Sequence, residues 1–144
     1  MKKLAPLFLV VVAAALVLGA TAFAAPSGMG WSAKLTAAQE IPKQAVKAPN
    51  AKGAFNATLT GTTLKWKLTF SGLSGPATAA HIHMGAMGKA GGVVVALCGP
   101  CKTGVSGSAK LTKALIAAAG KHKLYVNVHT AKNPNGETRG QIAP

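Results

Sequence analysis

The chain has 144 residues with 16 lysines and arginines against only two acids, a formal charge of +14, two cysteines and 5% aromatic residues. Glu40 and Glu137 are its only carboxylate side chains; distant in sequence and each in a turn-rich setting, they are expected to stay apart, which argues against a paired-carboxylate hydrolase, while a Ser-His-Asp triad and a carboxylate-rich calcium site lack their parts. The charge favours anionic partners, yet scattered lysines, few aromatics and no binding module argue against specific nucleic-acid recognition.

Lys2 and Lys3 precede an apolar run from Leu7 to Leu18 and the small-residue stretch Ala22-Phe23-Ala24. This is the order of a secretory signal over residues 1–24, cleaved after Ala24, and the run is shorter than the roughly 20 apolar residues a retained spanning helix needs. Cleavage leaves about 120 residues, a single-domain length, with no transmembrane segment in the mature form and the formal charge lowered by two. The expected location is therefore periplasmic or secreted.

Residues 25–30 read as a short leader. Trp31, Ala33 and Leu35 then alternate with polar neighbours, and a period of two marks a half-buried strand. After a proline-containing loop over residues 41–52, Phe55, Ala57 and Leu59 alternate again; Gly61-Thr62 turns the chain into Leu64, Trp66, Leu68 and Phe70. These two runs predict a hairpin. A short strand from Thr78 to His83 follows, then a glycine-rich connection and the apolar run Gly92 to Leu97, which reads as a strand covered on both sides.

Cys98 and Cys101 enclose Gly-Pro. No helix pattern opens behind the pair, so a catalytic dithiol would lack the helix N-terminus that lowers a thiol pKa, and a local disulfide is the favoured reading. Residues 102–107 read as loop, and Ser108 to Leu111 as a brief strand. Thr112 is a cap for one short helix that Gly120 ends. Leu124, Val126 and Val128 alternate in a further strand. The turn Asn133-Pro134-Asn135-Gly136 precedes a final strand from Glu137 to Ile142, where Glu137 and Arg139 are expected to bond to the loop before them. Short, regularly spaced strands with one helix predict an all-β fold, an antiparallel Greek-key β-sandwich or barrel, over residues 31–142.

His81 and His83 flank Ile82, so an extended segment projects both imidazoles from one face while Ile82 turns inward. His129 lies on the polar side of its own strand. If these strands are neighbours, three imidazoles converge in a manner suited to zinc or copper with an open fourth position, and Met84, Met87 and Glu137 are candidates for a further ligand. The bland reading is three surface histidines that order loops. His122, between two lysines, reads as exposed.

The run Leu35-Thr36-Ala37-Ala38-Gln39-Glu40-Ile41-Pro42, the segment Ala79-Ala80-His81-Ile82-His83, Tyr125-Val126-Asn127-Val128-His129-Thr130 and Asn135 to Ile142 together resemble the CHRD domain, the module named after chordin. The resemblance covers residues 31–142. It implies an extracytoplasmic β domain, single and isolated here, for which no general activity is established in bacteria; the growth-factor antagonism of chordin itself does not transfer. The His-Ile-His strand is also similar to the copper strand of Cu/Zn superoxide dismutases, but the aspartate and the dense histidine loop of their zinc site are missing. Two functions follow as expectations. One is a non-enzymatic binding or structural module that meets anionic cell-envelope polymers or another protein. The other is a periplasmic or secreted copper- or zinc-binding protein, with metal-dependent redox chemistry as its enzymatic form.

Overall fold

The computed structural model describes residues 27–144; the expected export signal, its expected cleavage point and the first two residues of the expected leader lie outside the described residues. The strands are β1 (Met29–Thr36), β2 (Lys52–Thr60), β3 (Thr63–Ser71), β4 (Ala77–Met84), β5 (Val93–Cys98), β6 (Val105–Lys110), β7 (Leu124–Thr130) and β8 (Thr138–Gln141), with a helix α1 (Lys113–Gly120) between β6 and β7. They form one eight-stranded sheet in the order β5-β4-β7-β8-β1-β2-β3-β6, with antiparallel neighbours throughout. The end strands β5 and β6 approach each other without a ladder, so the sheet curls into a nearly closed barrel. Among the described residues no helix is long and apolar enough to cross a membrane.

Alternation decides what the barrel encloses. Trp31, Leu35, Phe55, Leu64, Leu68, Ile82, Val126 and Val128 all point inward and are buried, while the residues between them on β1, β2 and β3 face out. The hairpin of β2 and β3 pairs in the expected register, Phe55 opposite Leu68 and Thr60 opposite Thr63, with Gly61 at positive φ (+59°) in the turn. Helix α1 starts where anticipated: Thr112 Oγ1 accepts from the Leu115 N–H at 3.2 Å. Cys98 and Cys101 are joined by a disulfide between the end of β5 and the loop after it.

Three local readings change. Strand β1 begins at Met29, inside the expected leader. Strand β6 begins at Val105, inside the expected loop, because its alternation of small residues lies against Trp66: a Cβ on Gly107 would stand 2.5 Å from Trp66 Cζ2. Strand β5 is not covered on both sides. It is an end strand paired only with β4, and Val93 remains 53% exposed. An uninterrupted apolar run does not distinguish a central strand from an end strand, since ladder partners are set by topology.

Candidate functional site

Strand β7 is buried along its whole length. Its inward residues Leu124, Val126 and Val128 fill the barrel, whereas Tyr125, Asn127 and His129 lie on the outer face. Such a face ordinarily meets water. Here three connections close over it: the β1–β2 connection brings Glu40, the β4–β5 connection brings Gly91, and the β7–β8 turn brings Pro134.

Strand β4 lies directly beside β7, with His83 opposite Tyr125 and Ala79 opposite His129. This register gathers the three histidines. The ring centroids are 4.9 Å apart for His81 and His129, and 5.6 Å apart for both His81–His83 and His83–His129. One nitrogen from each ring lies within 4.8 Å of the others. His83 and His129 are each only 8% exposed, and His81 is half-buried at the mouth.

The outer nitrogens of the two buried rings are held by backbone. His83 Nδ1 lies 3.0 Å from Gly91 O, and His129 Nδ1 lies 2.9 Å from Pro134 O. A carbonyl can only accept, so both Nδ1 atoms carry the proton and both Nε2 atoms present lone pairs toward the cluster. His81 Nδ1 lies 3.1 Å from His129 Nε2 and therefore donates to it. His83 Nε2 is buried with no hydrogen-bond partner. Burial is the main force lowering the pKa of all three rings. For His129 it outweighs the opposing bond to Pro134 and brings the value to about 4; for His83 it outweighs the bond to Gly91 and is joined by repulsion from His81 and Arg139. All three are neutral at pH 7, the state in which imidazole donates to a metal.

Behind the histidines lies a second polar layer that alternation did not reveal. Tyr125 stacks on His83 (4.9 Å, 10° between planes), and the Arg139 guanidinium covers the tyrosine's other side, 3.5 Å from its centroid. The Tyr125 hydroxyl donates to Gly91 O and accepts from Gly91 N–H, locking the carbonyl that orients His83. Asn127 donates to Glu40 Oε2 at 3.2 Å. Glu40 is fully buried, and desolvation raises its carboxyl to about 7 despite help from Asn127 and the Arg139 charge. Glu137 adds to that rise, so the two acids, expected to stay apart, share one buried region. One signal was legible: the outward positions of β7 are Tyr, Asn and His, whereas those of β3 are Lys and Thr, as a wet face requires.

Of the candidates for a further ligand, Glu137 lies outside the histidine group. Met84 ends β4 at 36% exposure, Met87 is 78% exposed beside Ile41, Arg139 and Gln141, and Glu137 is fully engaged. Its carboxylate accepts from Ser74 N–H and Oγ, Thr130 Oγ1 and Asn133 Nδ2, and these bonds outweigh burial and hold its pKa below the usual carboxylate value. It thus ties the β7–β8 turn to the loop after β3, close to its expected bonds with the preceding loop. His122 is exposed, at the end of α1.

Residues 31–142 match the family model described as the CHRD domain. No curated protein and no solved structure matches the chain.

Proposed function

The chain belongs to the CHRD domain family, and on that footing we propose that it is an exported, non-enzymatic binding module whose ligand is a transition-metal ion, copper before zinc, held by His81, His83 and His129. The supporting observation is the buried, unpartnered Nε2 of His83, aimed at two further neutral imidazoles and fixed from behind by a backbone carbonyl. A buried acceptor without a partner is costly, and a cation relieves that cost. Carbonyls on the outer nitrogens are the usual means of fixing the tautomer and orientation of metal-bound histidines.

A tetrahedral ion with bonds of about 2.0–2.1 Å sets its ligand nitrogens about 3.3 Å apart, so a group within 4.8 Å needs only a small contraction. The bond from His81 Nδ1–H to His129 Nε2 has to open as the ion enters. The His81 proton then moves to its Nε2, on the exposed side of the ring, without charging the site. Three nitrogens leave one position open at the half-buried mouth. The divalent series favours Cu²⁺ over Zn²⁺ for such donors. The neighbouring carboxylates are engaged in packing the layer behind the site, which supports holding the ion over turning over a substrate. Export is supported by the lysine-led apolar N-terminus and by the disulfide, which suits an oxidising compartment.

The test is titration of the purified exported protein, stripped with chelator, with Cu²⁺ and Zn²⁺. One equivalent of Cu²⁺ is expected to bind more tightly than Zn²⁺, and replacement of any one of the three histidines by alanine to weaken it at least 100-fold. Failure to bind either ion stoichiometrically, or equal binding by the alanine variants, sinks the proposal. Mass measurement of the exported protein checks cleavage after Ala24.

A further inference from the structure

The lysines are scattered along the sequence, but the strand register gathers five of them. On the outer face of β1, β2, β3 and β6 the side chains form rows across the strands, two residues apart. Successive rows carry Lys110, Lys65, Lys67, Lys34 and Lys52, one in each of five rows. At a rise of about 3.4 Å per residue and a strand spacing of about 4.8 Å, the rows advance about 7 Å at a time over roughly 27 Å, and sideways offsets of up to two strands put successive lysines about 7–12 Å apart. All five lysines are exposed. Their row neighbours are small and mostly polar, such as Thr58 and Ser108 beside Lys65, or Asn56 and Ser106 beside Lys67.

The rest of the charge distribution sharpens the pattern. Both acidic side chains of the chain are buried on the far side, so among the described residues no exposed acidic side chain competes for these lysines. Shallow depressions flank the ladder at both ends, one lined by Thr58, Thr60, Thr63 and Lys65, the other including Lys34, Thr36, Lys52 and Ser71.

We infer that this face docks a linear acidic glycan, whose anionic groups pair with the ladder while its hydroxyls meet the serine, threonine and asparagine side chains between the rungs. At low salt, where the Debye length reaches about 30 Å, charges at these spacings act on a polyanion together, which is why alignment matters beyond net charge. Single-stranded nucleic acid fits less well, because both tryptophans point into the barrel and the face offers nothing for a base to stack on. A membrane surface fits less well, because no large apolar side chain projects between the lysines. The ladder lies on the opposite side of the barrel from β4 and β7, so the inference is independent of metal binding at the histidines.

The experiment measures binding of the exported protein to dextran sulfate and polygalacturonate across a salt series, with uncharged dextran as blank. It compares a ladder variant (K34Q, K52Q, K65Q, K67Q and K110Q together) with a control of identical net charge (K47Q, K89Q, K102Q, K121Q and K132Q), whose lysines are equally exposed. The ladder variant is expected to lose at least 100-fold in affinity at low salt, and the slope of log affinity against log salt to fall by about 3.5 to 4.5, as the release of counterions by five contacts requires. The control is expected to lose less than about fivefold. Should the fivefold variant not fold, K65Q/K67Q removes two adjacent rungs and is expected to lose about tenfold against a K89Q/K132Q control. Equal losses in ladder and control variants overturn the inference. Binding to phosphatidylglycerol vesicles or single-stranded DNA at least as tight as to the two glycans overturns the choice of a glycan.

Discussion

Replacing Glu40 by glutamine tests the buried polar layer behind the histidines. The carboxyl is fully buried, its Oε1 has no partner, and desolvation raises its pKa from the ordinary 4.5 to about 7. In the unfolded chain Glu40 loses its proton near 4.5; in the folded chain it keeps the proton until about pH 7. The folded state therefore binds more protons throughout that window, and the Glu40 contribution to stability falls as pH rises through it. Below pH 4.5 the contribution is at its most favourable, and above pH 7 the full cost has been incurred. A rise from 4.5 to about 7 corresponds to about 3 kcal/mol, a large share of the 5–15 kcal/mol by which domains are usually stable. Glutamine keeps the shape and the acceptor for Asn127 but does not titrate. Urea unfolding at pH 4.5, 5.5, 7 and 8 should show Glu40→Gln gaining on the wild type by about 3 kcal/mol between the two extremes, since titrations not coupled to Glu40 cancel in the difference. A difference that stays constant with pH, or that grows in the wild type's favour, would show that Glu40 is not held neutral by burial and would refute the reasoning.

Glu137 has the opposite sign: its pKa lies below the usual value, so its stabilisation is present above pH 4.5 and is lost as pH falls toward the lowered value, and Glu137→Ala should cost about 3–5 kcal/mol at pH 7 by leaving Thr130 and Asn133 unpaired. Calorimetry on that variant checks the loss. Tyr125→Leu removes both the stacking on His83 and the bonds that fix Gly91, so Cu²⁺ affinity should fall about 10–100-fold while one equivalent still binds. Gly107→Ala places a methyl 2.5 Å from Trp66 and should destabilise the barrel by about 1–3 kcal/mol, with a change in tryptophan emission. At Gly136 the obstacle is the backbone as well: φ is +135° and a Cβ would stand 2.4 Å from Asn127 Nδ2, so Gly136→Ala should cost more than about 2 kcal/mol in the same unfolding assay.

The parts of this protein that obey a local rule were legible in its residues. Phe55-x-Ala57-x-Leu59 and Leu64-x-Trp66-x-Leu68 specify strands because side chains alternate about an extended backbone, and Thr112 followed by an alanine-rich run specifies a capped helix. The same alternation placed His81 and His83 on one face. Where two apolar runs pair is not local, which is why Val93 to Leu97 read as a covered strand although β5 ends the sheet.

Sequence alone thus determined the all-β class, the CHRD resemblance and the outward direction of the three histidines, since each depends on spacing within a few residues or on motifs in order. Tertiary structure decided that β4 lies beside β7, that loops from three distant segments cover that outer face, and that five lysines fall one to a row on the opposite side. The physical reason is that pairing and register between strands are chosen by burial summed over the whole barrel, and no single segment carries that sum.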